Sequence, residues 1–333
     1  MLALALETSC DDTGAAVVDS TGRVLSSIVE SSIDLHRAFG GVVPELAGRA
    51  HLATVTPVVQ KALDVAGLDP HDPAIDLVAA TAGPGLVGSL LIGLSAAKAY
   101  ALAWDKPFVG VHHLDGHLFA PLLETPEVEW PLLTLLVSGG HSMLVLQRAP
   151  GEHRVVGETI DDAAGEAYDK VARWLGLPYP GGPEIDRRAS SGDPHALQLP
   201  VSMRNDSLDF SFSGLKTAVV RATERQPEVG VDDVAASFQA AVVEQLLRKV
   251  TQALEREGAR SVALAGGVAA NSALRHALTE LGRERGVSVY LPSRAMCTDN
   301  AAMIGAAGLH RFAHEGASPL STPARPSWTL VDR

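Results

Sequence analysis

The order of local patterns constrains this chain more than any single motif does. Three strand-like runs followed by alternating helical and strand-like stretches occur twice along its 333 residues. In the first half the strands fall at 2–6 (LALAL), 15–19 (AAVVD) and 23–30 (RVLSSIVE), bounded by polar turns. A helical stretch at 40–67 follows, with Leu46, Ala50, Val55, Val58, Val59 and Leu63 on one stripe and Pro57 as a kink or break. Next come a buried strand at 76–83, an apolar helix at 86–104 and a strand at 107–113. The second half repeats the order with a glycine hairpin (132–140 and 142–148) and a third strand (153–160). A helix (163–176) leads to a longer one (233–257), a strand (261–267), a helix from 270, a strand (287–292) and a helix at 300–313. The repetition lies in element order and not in residue identity. Strand–helix–strand connections imply parallel pairing, hence an α/β protein.

A chain of this length accommodates two domains. The proline-bearing segment 121–130 separates a first lobe, 1–120, from a second, 121–317, and the tail 318–333 is expected to rejoin the first. The Pro-, Gly- and Ser-rich stretch 177–232 reads as an irregular insertion. Two cysteines, Cys10 and Cys297, exclude a disulfide framework and a four-cysteine zinc site. Ser95, Lys98 and Tyr100 interrupt the most apolar stretch, 86–104, so no membrane span is expected. The N-terminal apolar run lacks a preceding basic residue, which points to the cytoplasm. A net charge of −12 disfavours sequence-independent nucleic-acid binding unless a local basic face or a partner supplies cations.

The chemistry-bearing motifs are individually ambiguous. The turn ETSCDDTG (7–14) sets hydroxyls and paired acids between strands, fit for a phosphate or a metal, or merely for joining strands. GPGLVG (83–88) satisfies the dinucleotide pattern literally, but the preceding three-strand meander is not a Rossmann opening, and a structural turn is the better reading. His113 and His117, four apart after a buried strand, place two imidazoles on one helix face where they can reach one cation. Asp299 offers a third ligand, or the cap of the helix it precedes. A second pair, His310 and His314, reads as solvated imidazoles on a surface helix. The zinc-peptidase pattern fails, because Leu114 follows His113 where a general-base Glu is needed. Neither a nucleophile elbow nor a P-loop occurs. In LVSGGHS (136–142) the glycines expose backbone N–H groups to an anion or carbonyl, unless they only turn a hairpin. YPGGPEID (179–186) and AGGVAANSALR (265–275) bring backbone close to a flat ligand, and Asp169, Asp186 and Asn271 suit ribose or base edges. Asp169 alternatively pairs with Arg173.

Taken together, ETSCDDT, GGVVPELAGRAH, GPGLVGSL, HHLDGH, LVSGGHS, DDAAGEAYDK, YPGGPEID, FSFSGLKTA, GGVAANSALR and TDNAAMIG occur in this order. The chain thereby resembles the tRNA threonylcarbamoyladenosine transferase family from about residue 2 to ARPSW (324–328). That family was formerly described as O-sialoglycoprotein endopeptidases, and its archaeal relatives are the catalytic subunit of the KEOPS complex. The resemblance implies a two-lobed actin/Hsp70/hexokinase-like fold with an interlobe nucleotide cleft. It implies one Fe2+ or Zn2+ held by His113, His117 and Asp299. Substrate contacts would come from Leu136, Val137, Ser138, Gly139 and Gly140, and from Asp169, Gly182, Asp186 and Asn271. Leu136 stands where archaeal relatives carry a Tyr ligand. The implied reaction moves threonylcarbamoyl from threonylcarbamoyl-adenylate to the exocyclic amine of the adenosine 3′ of the anticodon, in tRNAs reading codons that begin with adenine. Asp11 or Asp12 is the expected proton acceptor or amine-orienting group. Implied partners are tRNA, a paralogous actin-like subunit (TsaB-type) and a small ATPase (TsaE-type). Arg187, Arg188, Arg204, Lys216 and Arg221 cluster in the irregular stretch and are candidates to face RNA. The alternative is a metal-dependent glycoprotein endopeptidase.

Overall fold

The computed structural model describes residues 1–331 except 126 and 204. Arg204 therefore lies outside the described residues. The chain divides into two units, Met1–Glu127 with Thr298–Val331, and Val128–Cys297.

Unit 1 opens with β1 (Leu2–Glu7), β2 (Asp12–Asp19) and β3 (Val24–Ser31), then α1 (Ile33–Arg37) and α2 (Pro44–Ala66). It continues with β4 (Leu77–Gly83), α3 (Val87–Ala103), β5 (Phe108–His112) and α4 (His113–Glu124). The sheet order is β3-β2-β1-β4-β5, with β1–β2 and β2–β3 antiparallel and β1–β4 and β4–β5 parallel. Leu4 faces Val17 on one side and Val78 on the other. Both β1 and β4 are covered on both faces, which is why they read as unbroken apolar runs and not as alternations.

Unit 2 repeats the plan. It contains β6 (Leu132–Val137), β7 (Ser142–Ala149), β8 (Glu152–Glu158), α5 (Ala164–Trp174), α6 (Gly181–Ala189), α7 (Ser213–Arg225) and α8 (Val231–Glu257). Then follow β9 (Ser261–Ala265), α9 (Ser272–Arg285), β10 (Ser288–Tyr290) and α10 (Arg294–Cys297). Its sheet runs β8-β7-β6-β9-β10 with the same antiparallel and parallel pairings as in unit 1. Tyr168 and Phe238 meet edge to face in its core, with ring centroids 5.1 Å apart.

Three particulars differ from the sequence reading. The last helix, α11 (Ala301–Glu315), belongs to unit 1 and not to the second lobe, so the boundary falls at 297/298 and not at 317/318. Glycines explain the close seating of α11 on the first sheet. A Cβ at Gly308 would stand 2.7 Å from Ala79 Cβ, and one at Gly305 would stand 3.1 Å from Val18 Cγ2. The first boundary falls at 127/128 and not at 120/121, because α4 continues through Pro121. The stretch 177–232 holds two helices, α6 and α7. The first turn of α7 is held by the Asp161 carboxylate, which accepts from the backbone N–H groups of Phe212 and Ser213 and from the Ser213 hydroxyl. That residue lies about 50 positions upstream, beyond the reach of any local capping signal.

Within α2, which runs unbroken past Pro57, the buried stripe is Ala47, His51, Val55, Val58, Val59, Ala62 and Leu63. Ala47 and His51 replace the expected Leu46 and Ala50. His51 is buried because both ring nitrogens are satisfied, Nδ1 by Thr13 Oγ1 at 2.8 Å and Nε2 by the Cys10 carbonyl at 2.9 Å.

Candidate metal centre

Helix α4 starts at once after β5 because His112 caps it. Its Nδ1 accepts from the Leu114 N–H, and its Nε2 lies 3.2 Å from the Trp328 carbonyl. His113 is thus the first helical residue and His117 lies one turn further along the same face. Between them Gly116 permits close contact with α11, since a Cβ there would lie 2.7 Å from Ile304 Cδ1 and 3.1 Å from Met303 Cγ. Contact between the two helices carries Asp299, just ahead of α11, up to the imidazoles. Asp299 Oδ1 lies 3.2 Å from His117 Nε2 and 3.5 Å from His113 Nε2. The three residues can offer one ligand atom each, all within 4.8 Å of one another. Asp299 is not the cap of α11. Asn300 is, its side chain accepting from the Met303 N–H at 3.0 Å.

The residues present fit a divalent cation. His117 is completely buried, yet among the described residues Nδ1 has no hydrogen-bond partner and Nε2 meets only the Asp299 carboxylate. An unsatisfied buried nitrogen is costly unless something else takes its lone pair. Burial lowers the pKa of His117 and keeps it neutral, the form that ligates. Two imidazoles and one carboxylate match both ferrous and zinc sites that leave a coordination position open.

Glu7, at the end of β1, is the residue the sequence reading missed. It is 1 % exposed, and all its oxygen capacity is directed inward. Oε2 accepts from His113 Nδ1 at 3.0 Å and from Thr81 Oγ1 at 2.6 Å, while Oε1 accepts from the Ser9 N–H. A carboxylate can only accept, so His113 Nδ1 keeps a proton toward Glu7, while Nε2 faces Asp299, carries a second proton when the ring is charged, and is free to ligate once a cation displaces that proton. Burial opposes a charge on His113, but the Glu7 and Asp299 charges outweigh it and raise its pKa to about 9. The mere occurrence of Glu in ETSCDD gave no hint that β1 ends beside α4.

The rest of the 7–14 turn is pinned from outside. The Cys10 carbonyl accepts from His51 Nε2 and from the Ser89 hydroxyl at 3.1 Å. Burial and the neighbouring Asp11 and Asp299 push the Cys10 thiol up, so it is not a thiolate. Burial, against a hydrogen bond from Ser31 and with help from Asp11 and Asp299, pushes the Asp12 carboxyl up to about 7. Its Oδ1 is buried and has no hydrogen-bond partner among the described residues. Asp11 differs in that its carbonyl receives the Ser32 N–H and hydroxyl.

The glycine turn at 83–88 serves packing. A Cβ on Gly83 would lie 2.0 Å from the Arg325 carbonyl oxygen, and one on Gly85 would lie 2.5 Å from that of Ser9. The N–H of Leu86, at the cap of the helix beyond, is already taken, since it donates to Ser9 O at 2.8 Å.

In unit 2 the predicted substrate residues are held by their own neighbours. Leu136 and Val137 are fully buried, so of that run only Ser138, Gly139 and Gly140 reach the surface. Asp169 accepts from the Gly181 N–H at 2.7 Å and does not depend on Arg173 for a partner. Both oxygens of Asp186 receive Ser272, the N–H at 3.1 Å and the hydroxyl at 2.7 Å. Asn271 caps α9 through Leu274 N and donates to Gln239 Oε1 at 2.7 Å. These bonds knit α5, α6, α8 and α9 together, and side-chain spacing alone did not reveal them. Positions 139, 140 and 182 leave open space where a Cβ would stand, so packing does not explain glycine there. His310 and His314 stack, centroids 4.2 Å apart, and His310 also meets Phe119 at 5.1 Å.

The duplicated sheet topology defines an actin-like α/β protein, and the His–His–Asp cluster marks its first unit. Solved structures with this fold include HypF from T. kodakarensis, with a TM-score of 0.64 at 13% identity, covering 97% of this chain and 49% of that one. Another is component A of the (R)-2-hydroxyglutaryl-CoA dehydratase of Acidaminococcus fermentans, with a TM-score of 0.57 at 13% identity, covering 94% of this chain and 99% of that one. At such identities they share the fold alone. Sequence supplies the finer assignment. Residues 23–306 match the tRNA N6-adenosine threonylcarbamoyltransferase family. The protein of that name from Moorella thermoacetica is 51% identical over 332 residues, covering 98% of this chain and 96% of the relative. The one from Halalkalibacterium halodurans is likewise 51% identical, over 334 residues and 99% of this chain. The chain belongs to the tRNA N6-adenosine threonylcarbamoyltransferase family.

Proposed function

We propose that the chain transfers the threonylcarbamoyl group of threonylcarbamoyl-adenylate to N6 of the adenosine 3′ of the anticodon in tRNAs reading codons that begin with adenine. The observation that carries this is the 51% identity to a tRNA N6-adenosine threonylcarbamoyltransferase over nearly the whole of both chains. In the reaction the N6 nitrogen bonds to the carbamoyl carbon, the bond from that carbon to the adenylate phosphate oxygen breaks, AMP leaves and the amine loses one proton. His113, His117 and Asp299 would hold one ferrous or zinc ion. When bound, that ion supplies positive charge for the oxyanion and phosphate charge that develop during transfer.

The chain's own residues do the remaining work. Glu7 orients the His113 ring. Asp12, with a pKa near 7 and an unpartnered oxygen, is the better-suited proton acceptor of the two acids in the turn. Asp169, Gly182, Asp186 and Asn271, with the backbone of Ser138, Gly139 and Gly140, are assigned to the nucleotide part of the donor. A chain of net charge −12 is poorly suited to gather tRNA by itself, which favours action with a paralogous actin-like subunit and a small ATPase. Among the described residues no helix is long and apolar enough to cross a membrane, and a cytoplasmic setting suits a tRNA substrate.

Reconstitution tests the reading. Threonylcarbamoyl-adenylate, unmodified tRNA and this protein, with and without the two partners, are incubated and the nucleosides analysed by mass spectrometry. Threonylcarbamoyladenosine that depends on this chain is expected. Its absence in every combination would overturn the assignment.

A further inference from the structure

The chemistry above makes no use of the basic residues between α6 and α8. The sequence reading treated Arg187, Arg188, Lys216 and Arg221 alike, but the structure separates them. Arg187 is paired with Glu184 at 2.7 Å and Arg188 with Asp232 at 3.2 Å. The surface arginines of α9 are likewise engaged, Arg283 with Glu280 and Arg285 with Glu255. Arg221 and Arg225, one turn apart on α7 and both exposed, have no ion pair or hydrogen bond from their guanidinium groups among the described residues. With His195, Gln198 and Gln226 they line an open cavity of about 520 Å³, and among the described residues no carboxylate lines it. Glu224 of the same helix is not among the lining residues.

This combination is unusual on an acidic protein. An unpaired guanidinium presents a planar fork of donors that matches phosphate oxygens. Two of them one helical turn apart, about 6 Å, can each take a separate phosphate. The two glutamine amides can donate to and accept from ribose hydroxyls, the groups by which proteins bind RNA apart from its bases. The volume lies within the ~300–1,000 Å³ of small-ligand pockets, room for a nucleotide unit and more than a lone ion needs.

We propose that this groove of unit 2 docks the phosphodiester backbone of RNA, Arg221 and Arg225 each neutralising one phosphate. The proposal rests on the tRNA substrate of the preceding section and names where this chain grips it. It keeps Arg221 from the residues expected to face RNA, adds Arg225 and leaves out the ion-paired Arg187 and Arg188.

The test compares two double charge reversals of equal net charge in the full-length protein, Arg221→Glu with Arg225→Glu, and Arg283→Glu with Arg285→Glu. Binding of an unmodified tRNA transcript by each chain, with equal amounts of the actin-like subunit and the small ATPase present, is measured between 50 and 200 mM salt. Roughly tenfold weaker binding at 50 mM is expected for the groove variant, with the slope of log K against log salt shallower by about 1.4–1.8. The α9 variant is expected to stay within about twofold of the unmutated chain. Equal losses in both variants, no loss in the groove variant, or no measurable binding by the unmutated chain would each overturn the groove. Should the reversal fail to fold by circular dichroism, Arg221→Gln with Arg225→Gln decides by the same slope. Mass spectrometry of the transcript after incubation with donor and partners separates the two readings. Transfer with an unaffected groove variant sinks only the groove, and groove-dependent binding without transfer sinks only the assigned reaction.

Discussion

Replacing Glu7 by Gln keeps the side chain's volume and removes its charge, which makes it the most direct probe of how the cation cluster is held. Glu7 Oε2 accepts from His113 Nδ1 at 3.0 Å inside a site where the glutamate is 1 % exposed. The amide must keep an oxygen for either the Ser9 N–H or the Thr81 hydroxyl, so its NH2 group is directed at a donor or at His113. A hydrogen bond to a buried charged group is worth about 1.5–3 kcal/mol. Loss of an outer partner of a ligating histidine costs about 10–100-fold in metal affinity, which is about 1.4–2.8 kcal/mol. The two figures are of similar size but refer to different equilibria, the first to folding and the second to metal binding. Folding of the metal-free chain suffers less, since His113 can shed its proton once the carboxylate is gone. Zinc affinity from competition with a chromophoric chelator, with thermal melting of the metal-free protein beside it, measures both. A 10–100-fold weaker affinity with a nearly unchanged melt is expected. Glu7→Gln with full zinc affinity, alongside a His117→Ala chain that has lost it, would refute the orienting role.

Four further outcomes follow from the same geometry. His117→Ala should carry no stoichiometric iron or zinc by elemental analysis and no transfer activity while keeping its circular dichroism; a metal-replete variant contradicts the ligand assignment. Asp12 has a folded pKa of about 7 against an unfolded value of roughly 3.9, so the stability it contributes is complete below about pH 4 and is lost as pH rises through 7. Asp12→Asn should therefore stabilise the protein at pH 8, by about 2–4 kcal/mol after allowance for partial exposure, and hardly at all at pH 4; denaturant titrations at both pH values measure the difference. If Asp12 takes the proton, transfer by the unmutated chain should also rise with pH through about 7. Gly116→Val drives carbon into a space where the first added atom already lies 2.7 Å from Ile304, so α4 and α11 must separate. A destabilisation of about 1–3 kcal/mol and weaker zinc binding are expected, and a normal melt with normal affinity would deny that this contact positions Asp299.

What the chain order determined by itself is considerable. Two strand meanders, each followed by helix–strand alternation, sufficed for the architecture, because hydrophobic periodicity and turn chemistry act within a few residues. The His113–His117 pair was equally legible, since a spacing of four on a helix is a local fact. Tertiary structure decided everything that depends on which elements become neighbours. Asp299 reaches the imidazoles because Gly305, Gly308 and Gly116 let α11 lie close on the first sheet and on α4, while Asn300 takes over the cap. Glu7 becomes the partner of His113 only because β1 lies next to β4 and β4 next to β5, which leads directly into α4. Arg187 and Arg221 look alike in the sequence, yet one meets a carboxylate and the other lines a groove without any. Local propensity is set by a residue's chain neighbours, whereas pairing of charges and ligands is set by distances across the fold, which no short window of sequence contains.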